Sequence, residues 1–82
     1  MSDYHMNING KIKYCDCNNI SEYLGIVNFE DKLLITMEDC EDENINIIHQ
    51  LCKKNKIIIY KEDGTNHGIC TIKAIKDKHF NE

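Results

Sequence analysis

Hydrophobic and polar residues alternate from Gly10 to Cys15, where Lys11-Ile12-Lys13-Tyr14-Cys15 carries the period of two expected of a half-buried strand. Asp16-Cys17-Asn18-Asn19 is rich in turn formers and should end that strand. Residues 22–29 form a second apolar-rich run and predict a second strand, with Gly25 inside it as a bulge or a point of close backbone approach. Glu30-Asp31 reads as a tight turn into residues 32–38, a third strand that would pair with the second as a hairpin.

Beyond Met37 the period changes. Ile45, Ile48, His49 and Cys52 recur at spacings of three and four with Leu51 beside them, which predicts one amphipathic helix over about residues 41–54. Asp39 or Asp42 can cap its first turn, and Asn55 can take the left-handed position that closes it. A fourth strand is expected over residues 56–61, a turn around Asp63-Gly64 that extends through Asn66-His67-Gly68, and a fifth strand over residues 69–75.

These elements predict an α+β fold: a mainly antiparallel sheet of about five strands, in ββ(β)αββ order, with one amphipathic helix covering one face. Lys11-Ile12-Lys13-Tyr14 before Gly25-Ile26-Val27 is echoed by Lys56-Ile57-Ile58-Ile59-Tyr60 before Gly68-Ile69-Cys70. A partly closed SH3-like or Sm-like barrel would accommodate such an echo, and so would an open sheet. At 82 residues the chain has room for a single domain and one core, with residues 1–9 and 77–82 expected as flexible ends. A core of that size gives a narrow margin of stability, so a metal, a disulfide or a partner subunit would matter.

The longest apolar run is Ile57-Ile58-Ile59-Tyr60, well short of the roughly 20 residues that cross a bilayer. The first residues lack both the basic cluster and the apolar segment of a secretory signal, so a cytoplasmic protein is expected. Five cysteines, at 15, 17, 40, 52 and 70, are an odd number without the spacing of a disulfide framework, which predicts free thiols. Cys52 and Cys70 sit among apolar neighbours and read as small buried hydrophobes.

Charge divides along the chain. Residues 1–52 hold ten acidic side chains and three lysines, a balance of −7, and residues 53–82 hold four acidic side chains and seven lysines, a balance of +3. The division falls on the predicted helix, with Glu38, Asp39, Glu41, Asp42 and Glu43 at its start and Lys53, Lys54 and Lys56 at its end. That arrangement suits the helix dipole. Five carboxylates nevertheless exceed what one first turn needs, and on the surface they would form an acidic patch able to dock on a basic partner and steer its approach. As a calcium loop, Asp39, Glu41 and Glu43 lack the glycine and the terminal glutamate that an EF-hand requires. Lys61, Lys73, Lys76 and Lys78 could share a face of the last hairpin, but without arginine and with net charge −4 they argue against nucleic acid as a partner.

For metal chemistry, Cys15-x-Cys17 with His67-x-x-Cys70 could supply a tetrahedral zinc site, and His49-x-x-Cys52 is a further thiol and imidazole pair. No paired Cys-x-x-Cys knuckles accompany them, and buried cysteines with incidental histidines account for the same residues. Cys40 lies near a helix start, which favours a reactive thiolate, but its five acidic neighbours favour the protonated thiol. No phosphate-cradling glycine loop and no nucleophile with a base is present, so enzymatic activity is not expected.

The reading that follows is a small acidic module that binds a partner protein through the helix start. A homo-oligomeric assembly subunit and a small zinc-stabilised domain are the alternatives. Accessory or inhibitor proteins of mobile elements share this size and composition, an analogy that assigns no residues.

Overall fold

The computed structural model describes residues 3–66 and 68–79. Its elements run β1 (Asp3–Ile8), α1 (Tyr14–Ile26), β2 (Lys32–Met37), α2 (Asp42–Lys54), β3 (Ile57–Asn66) and β4 (Ile69–Lys76). The four strands form one sheet in the order β1-β2-β4-β3. β1 and β2 are parallel, and β4 runs antiparallel to both β2 and β3. The α+β class holds, with a mixed sheet that is mostly antiparallel. Among the described residues four strands stand where about five were expected, two helices stand where one was expected, and the sheet is open where a barrel was considered.

Two differences account for the change in topology. Residues 3–8, expected as a flexible end, alternate Tyr4, Met6 and Ile8 toward the core and Asp3, His5 and Asn7 away from it, and so form β1. The segment read as a strand, a turn and another strand is the single helix α1. Cys17, Ile20 and Leu24 stand at helical spacing and pack into the core, with Val27 buried just past the end. Asp16 reaches back to the N–H of Lys13, with Oδ2 accepting at 3.0 Å, and closes the first turn. Gly25 lies inside this helix, and the Lys76 ammonium donates to the carbonyls of Leu24 and Gly25 at its end, at 3.2 and 3.4 Å. A cation there offsets the negative end of the helix dipole.

α2 forms as its period predicts. Asn44, Ile48 and Cys52 are its buried residues, one on each successive turn of the same stripe. Its N-cap is Glu41, without a side-chain bond into the helix, and the left-handed residue after it is Lys56 (φ 61°) where Asn55 was expected. Asn55 instead closes the helix through its amides, the side-chain Nδ2 donating to the Leu51 carbonyl at 2.8 Å.

Alternate residues of β1, β2 and β4 (Met6 and Ile8; Leu33, Ile35 and Met37; Cys70, Ile72 and Ala74) join Leu24, Ile48 and Cys52 in one core. Both helices therefore cover the same face of the sheet, and the opposite face carries no layer among the described residues. Tyr23 fastens α1 to the edge strand β1, stacking edge-on against Tyr4 and donating its hydroxyl to the His5 carbonyl at 3.0 Å.

Candidate functional site

Because β1 and β2 are parallel, their carboxyl ends, and the starts of the helices that follow them, meet at one edge of the sheet. In open α/β sheets this is the edge at which loops gather and ligands bind. Here it collects the loop over residues 9–13, the first turn of α1, the loop over residues 38–41 and the first turn of α2.

Asn44 holds the two loops together from inside. It is 2% exposed, accepts from the buried Ile12 N–H at 2.8 Å through Oδ1, and donates through Nδ2 to the carbonyls of Asp39 at 3.0 Å and Gly10 at 3.4 Å. Gly10 adopts φ 72°, a left-handed turn that presents its carbonyl to this amide at no steric cost. Ile12 is thus buried as an anchor of a loop, although its neighbours alternate like a strand. Asn44 was not among the residues expected from the sequence; the signal that would have found it is its place one turn before Ile48 and Cys52, as the polar member of that stripe.

A disulfide makes the second tie. Cys40, half-buried in the loop before α2, is bonded to Cys70 of β4, with Cα atoms 5.9 Å apart and a separation of 30 positions in the chain. The expectation of free thiols at Cys40 and Cys70 is corrected here. β2 and β4 pair with Met37 opposite Cys70, which brings residue 40 within bonding reach. Cys15, Cys17 and Cys52 remain free.

Of the five carboxylates expected at the helix start, Glu38, Glu41, Asp42 and Glu43 are exposed. Asp39 is half-buried and turned inward, with Oδ1 accepting from the Glu41 N–H at 3.0 Å. Among the described residues the ion pair is that of His49 with Glu62, so the exposed carboxylates are not matched by the chain's own lysines. Lys53 and Lys54 stand at the far end of α2.

The metal candidates do not assemble. Cys70 is consumed by the disulfide, His67 lies outside the described residues, and Cys15 and Cys17 stand on α1. No group of three or more His, Cys, Asp or Glu side chains is placed to hold a metal ion among the described residues, including the Asp39, Glu41 and Glu43 considered for calcium. His49 turns outward to Glu62 while Cys52 is buried, so that pair is divided as well. No helix among the described residues is long and apolar enough to cross a membrane.

The free thiols differ in surroundings. Cys15 is exposed in the first turn of α1 and Cys17 is half-buried. Burial pushes the Cys52 thiol up to about 12, so at neutral pH it stays protonated within the core. At pH 8 a thiol reagent should modify Cys15 promptly and Cys52 only upon unfolding. Site-resolved mass spectrometry would check this, and rapid Cys52 labelling in folded protein would contradict it.

An open groove of about 340 Å³ lies beside this edge, between β1 and α1, with Asn7, Asn9, Lys11, Asp16 and Asn19 on its walls. Comparison with protein-family models, with curated proteins and with solved structures finds no match for the chain.

Proposed function

We propose that the chain is a small binding module that docks on a basic partner protein through the carboxylate edge formed by Glu38, Glu41, Asp42 and Glu43. The observation that carries this reading is the exposure of all four without a matching lysine of the chain's own. A fixed edge costs less to bind than a mobile loop, because little side-chain and loop freedom remains to be lost. Here the Asn44 bonds and the Cys40–Cys70 link fix the backbone that carries the acidic side chains. Unpaired surface carboxylates also speed the approach of a basic surface, an effect that salt screens.

Reversing Glu41, Asp42 and Glu43 to Lys should abolish capture of the partner from a host lysate at low salt while the circular dichroism spectrum stays unchanged. Wild-type capture should weaken steeply with added salt. Capture that is indifferent to both changes would reduce the acidic run to a complement of the helix dipole.

A second reading is favoured by the placement of the cysteines. Cys15, Cys17, Cys40 and Cys70 all belong to this edge, and Cys15 is exposed. A docked partner carrying a disulfide would meet that thiol. The Cys15 thiolate would attack one partner sulfur, a mixed disulfide would form, and the partner's other sulfur would leave as a thiolate. Trapping that mixed disulfide at Cys15, with none in Cys15→Ser, supports thiol exchange on the partner; its absence leaves docking alone.

A further inference from the structure

Against the expectation from net charge and the lack of arginine, we infer that the uncovered face of the sheet binds single-stranded nucleic acid, with Lys32, Lys61 and Lys73 taking its phosphates and Tyr60 stacking on a base. This site is separate from the acidic edge and does not depend on docking there.

The face presents rows of residues across the four strands. His5, Leu34, Lys73 and Lys61 make one row, through the pairs His5 with Leu34, Leu34 with Lys73, and Lys73 with Lys61. Asp3, Lys32, Ile75 and Ile58 make the next. Neighbouring strands lie about 5 Å apart and alternate residues of one strand about 7 Å apart, so the three lysines form a compact cationic cluster. None has an ion-pair partner among the described residues.

That cluster is costly to the fold. Lysines directly opposite one another, as Lys61 and Lys73 are, repel and destabilise a strand pair. Protection of sheet edges accounts for Lys61 on the edge strand β3 but not for Lys32 and Lys73, because β2 and β4, which carry them, are the two central strands. Lys73 is half-buried there. Asp3 opposite Lys32 and Asp63 two residues along from Lys61 are the acids of this face, and among the described residues neither forms an ion pair with a lysine, so Lys73, kept in mid-sheet facing another cation, is left for an anion supplied from outside.

The register of β3 supplies the aromatic element. Ile59 pairs with Ala74 and Lys61 with Lys73, so Tyr60 is an inserted residue. Such a bulge re-aims a side chain. Here it leaves Tyr60 53% exposed, lining an open groove of about 380 Å³ with Asp3, His5, Lys32, Leu34 and Lys73. An exposed ring beside lysines on a sheet face is a stacking platform for an unpaired base. A run of acidic side chains would satisfy the lysines but give that ring no stacking partner.

Fluorescence anisotropy of a labelled single-stranded oligonucleotide, titrated with the folded full chain at low salt, tests this. Affinity should fall as salt rises, with a logarithmic slope near −2 for three phosphate contacts. Lys61→Glu with Lys73→Glu should weaken binding about tenfold or more. Tyr60→Leu, which keeps the apolar bulk, should weaken it roughly five- to a hundredfold. Lys53→Glu with Lys54→Glu, off this face, should leave it unchanged, and melting curves confirm that each variant is folded. No binding, or equal losses in the Lys53 and Lys54 variant, would overturn the assignment. So would polyglutamate competing as well as the oligonucleotide with Tyr60→Leu without effect, since the occupant would then be an acidic polypeptide.

Discussion

In reducing buffer the protein should melt on the order of 15–25 °C lower than in its absence, because the Cys40–Cys70 bond closes a long loop in a small domain. With its ends 30 positions apart in the chain, the constraint on the unfolded chain is worth about 3.5 kcal/mol in the chain-entropy description. For a domain of this size each kcal/mol moves the melting temperature by about 4–8 °C. The Cys40→Ser, Cys70→Ser double variant should show the lower melt with or without reductant. Thiol titration of denatured, unreduced protein should find the three free cysteines, 15, 17 and 52. Five titrating thiols and a melt indifferent to reductant would remove the bond from the account of stability. The consequence reaches the acidic edge too, since Cys40 lies between Asp39 and Glu41 and its release frees the loop that holds them.

Replacing Asn44 with Leu should cost about 3 kcal/mol or more, the second large effect. The leucine side chain fills the space but leaves the buried Ile12 N–H without an acceptor and removes the donor from the Asp39 and Gly10 carbonyls. Chemical denaturation would measure the loss, and hydrogen exchange should place the earliest opening at the Ile12 amide. Asn44→Asp separates the two roles, because a carboxylate can still accept from Ile12 but faces two carbonyls with no proton to give. That variant should be destabilised at neutral pH and regain stability as the pH falls, when the protonated carboxyl can donate again. A near-neutral effect of Asn44→Leu would mean that the two loops are held by other contacts.

The parts of the fold that were legible were those whose local pattern agreed with their tertiary environment. β2, α2 and β4 each bury one clean stripe, so a period of two or of 3.6 finds them. α1 was hidden because two asparagines, an aspartate and a glycine weaken its intrinsic preference, and packing of Ile20 and Leu24 on the sheet decides in its favour. Lys11 to Cys15 misled in the opposite direction, since Ile12 owes its burial to the Asn44 bond and not to a ladder. β1 alternates as a strand should, but Asp3, His5 and Asn7 on its open side made it read as a polar end.

The site divides in the same way. The acidic run was visible as composition, and its exposure follows from the position of Glu41 to Glu43 at the start of α2. The pairing of Cys40 with Cys70 was not legible, because disulfide connectivity depends on which strands are neighbours and spacing does not reveal that. For the same reason the expected lysine face came apart. Lys61 and Lys73 share the open face with Lys32, which the order β1-β2-β4-β3 brings beside them, while Lys76 turns away to the end of α1.

Docking through the acidic edge is tested most directly by carboxyl footprinting of the chain alone and in complex with the partner it captures. Glu38, Glu41, Asp42 and Glu43 should be freely modified in the isolated protein and protected in the complex, with Glu62 and Asp77 unchanged in both. Carboxylates at residues 38–43 that stay equally reactive in the complex, with protection appearing elsewhere, would contradict it.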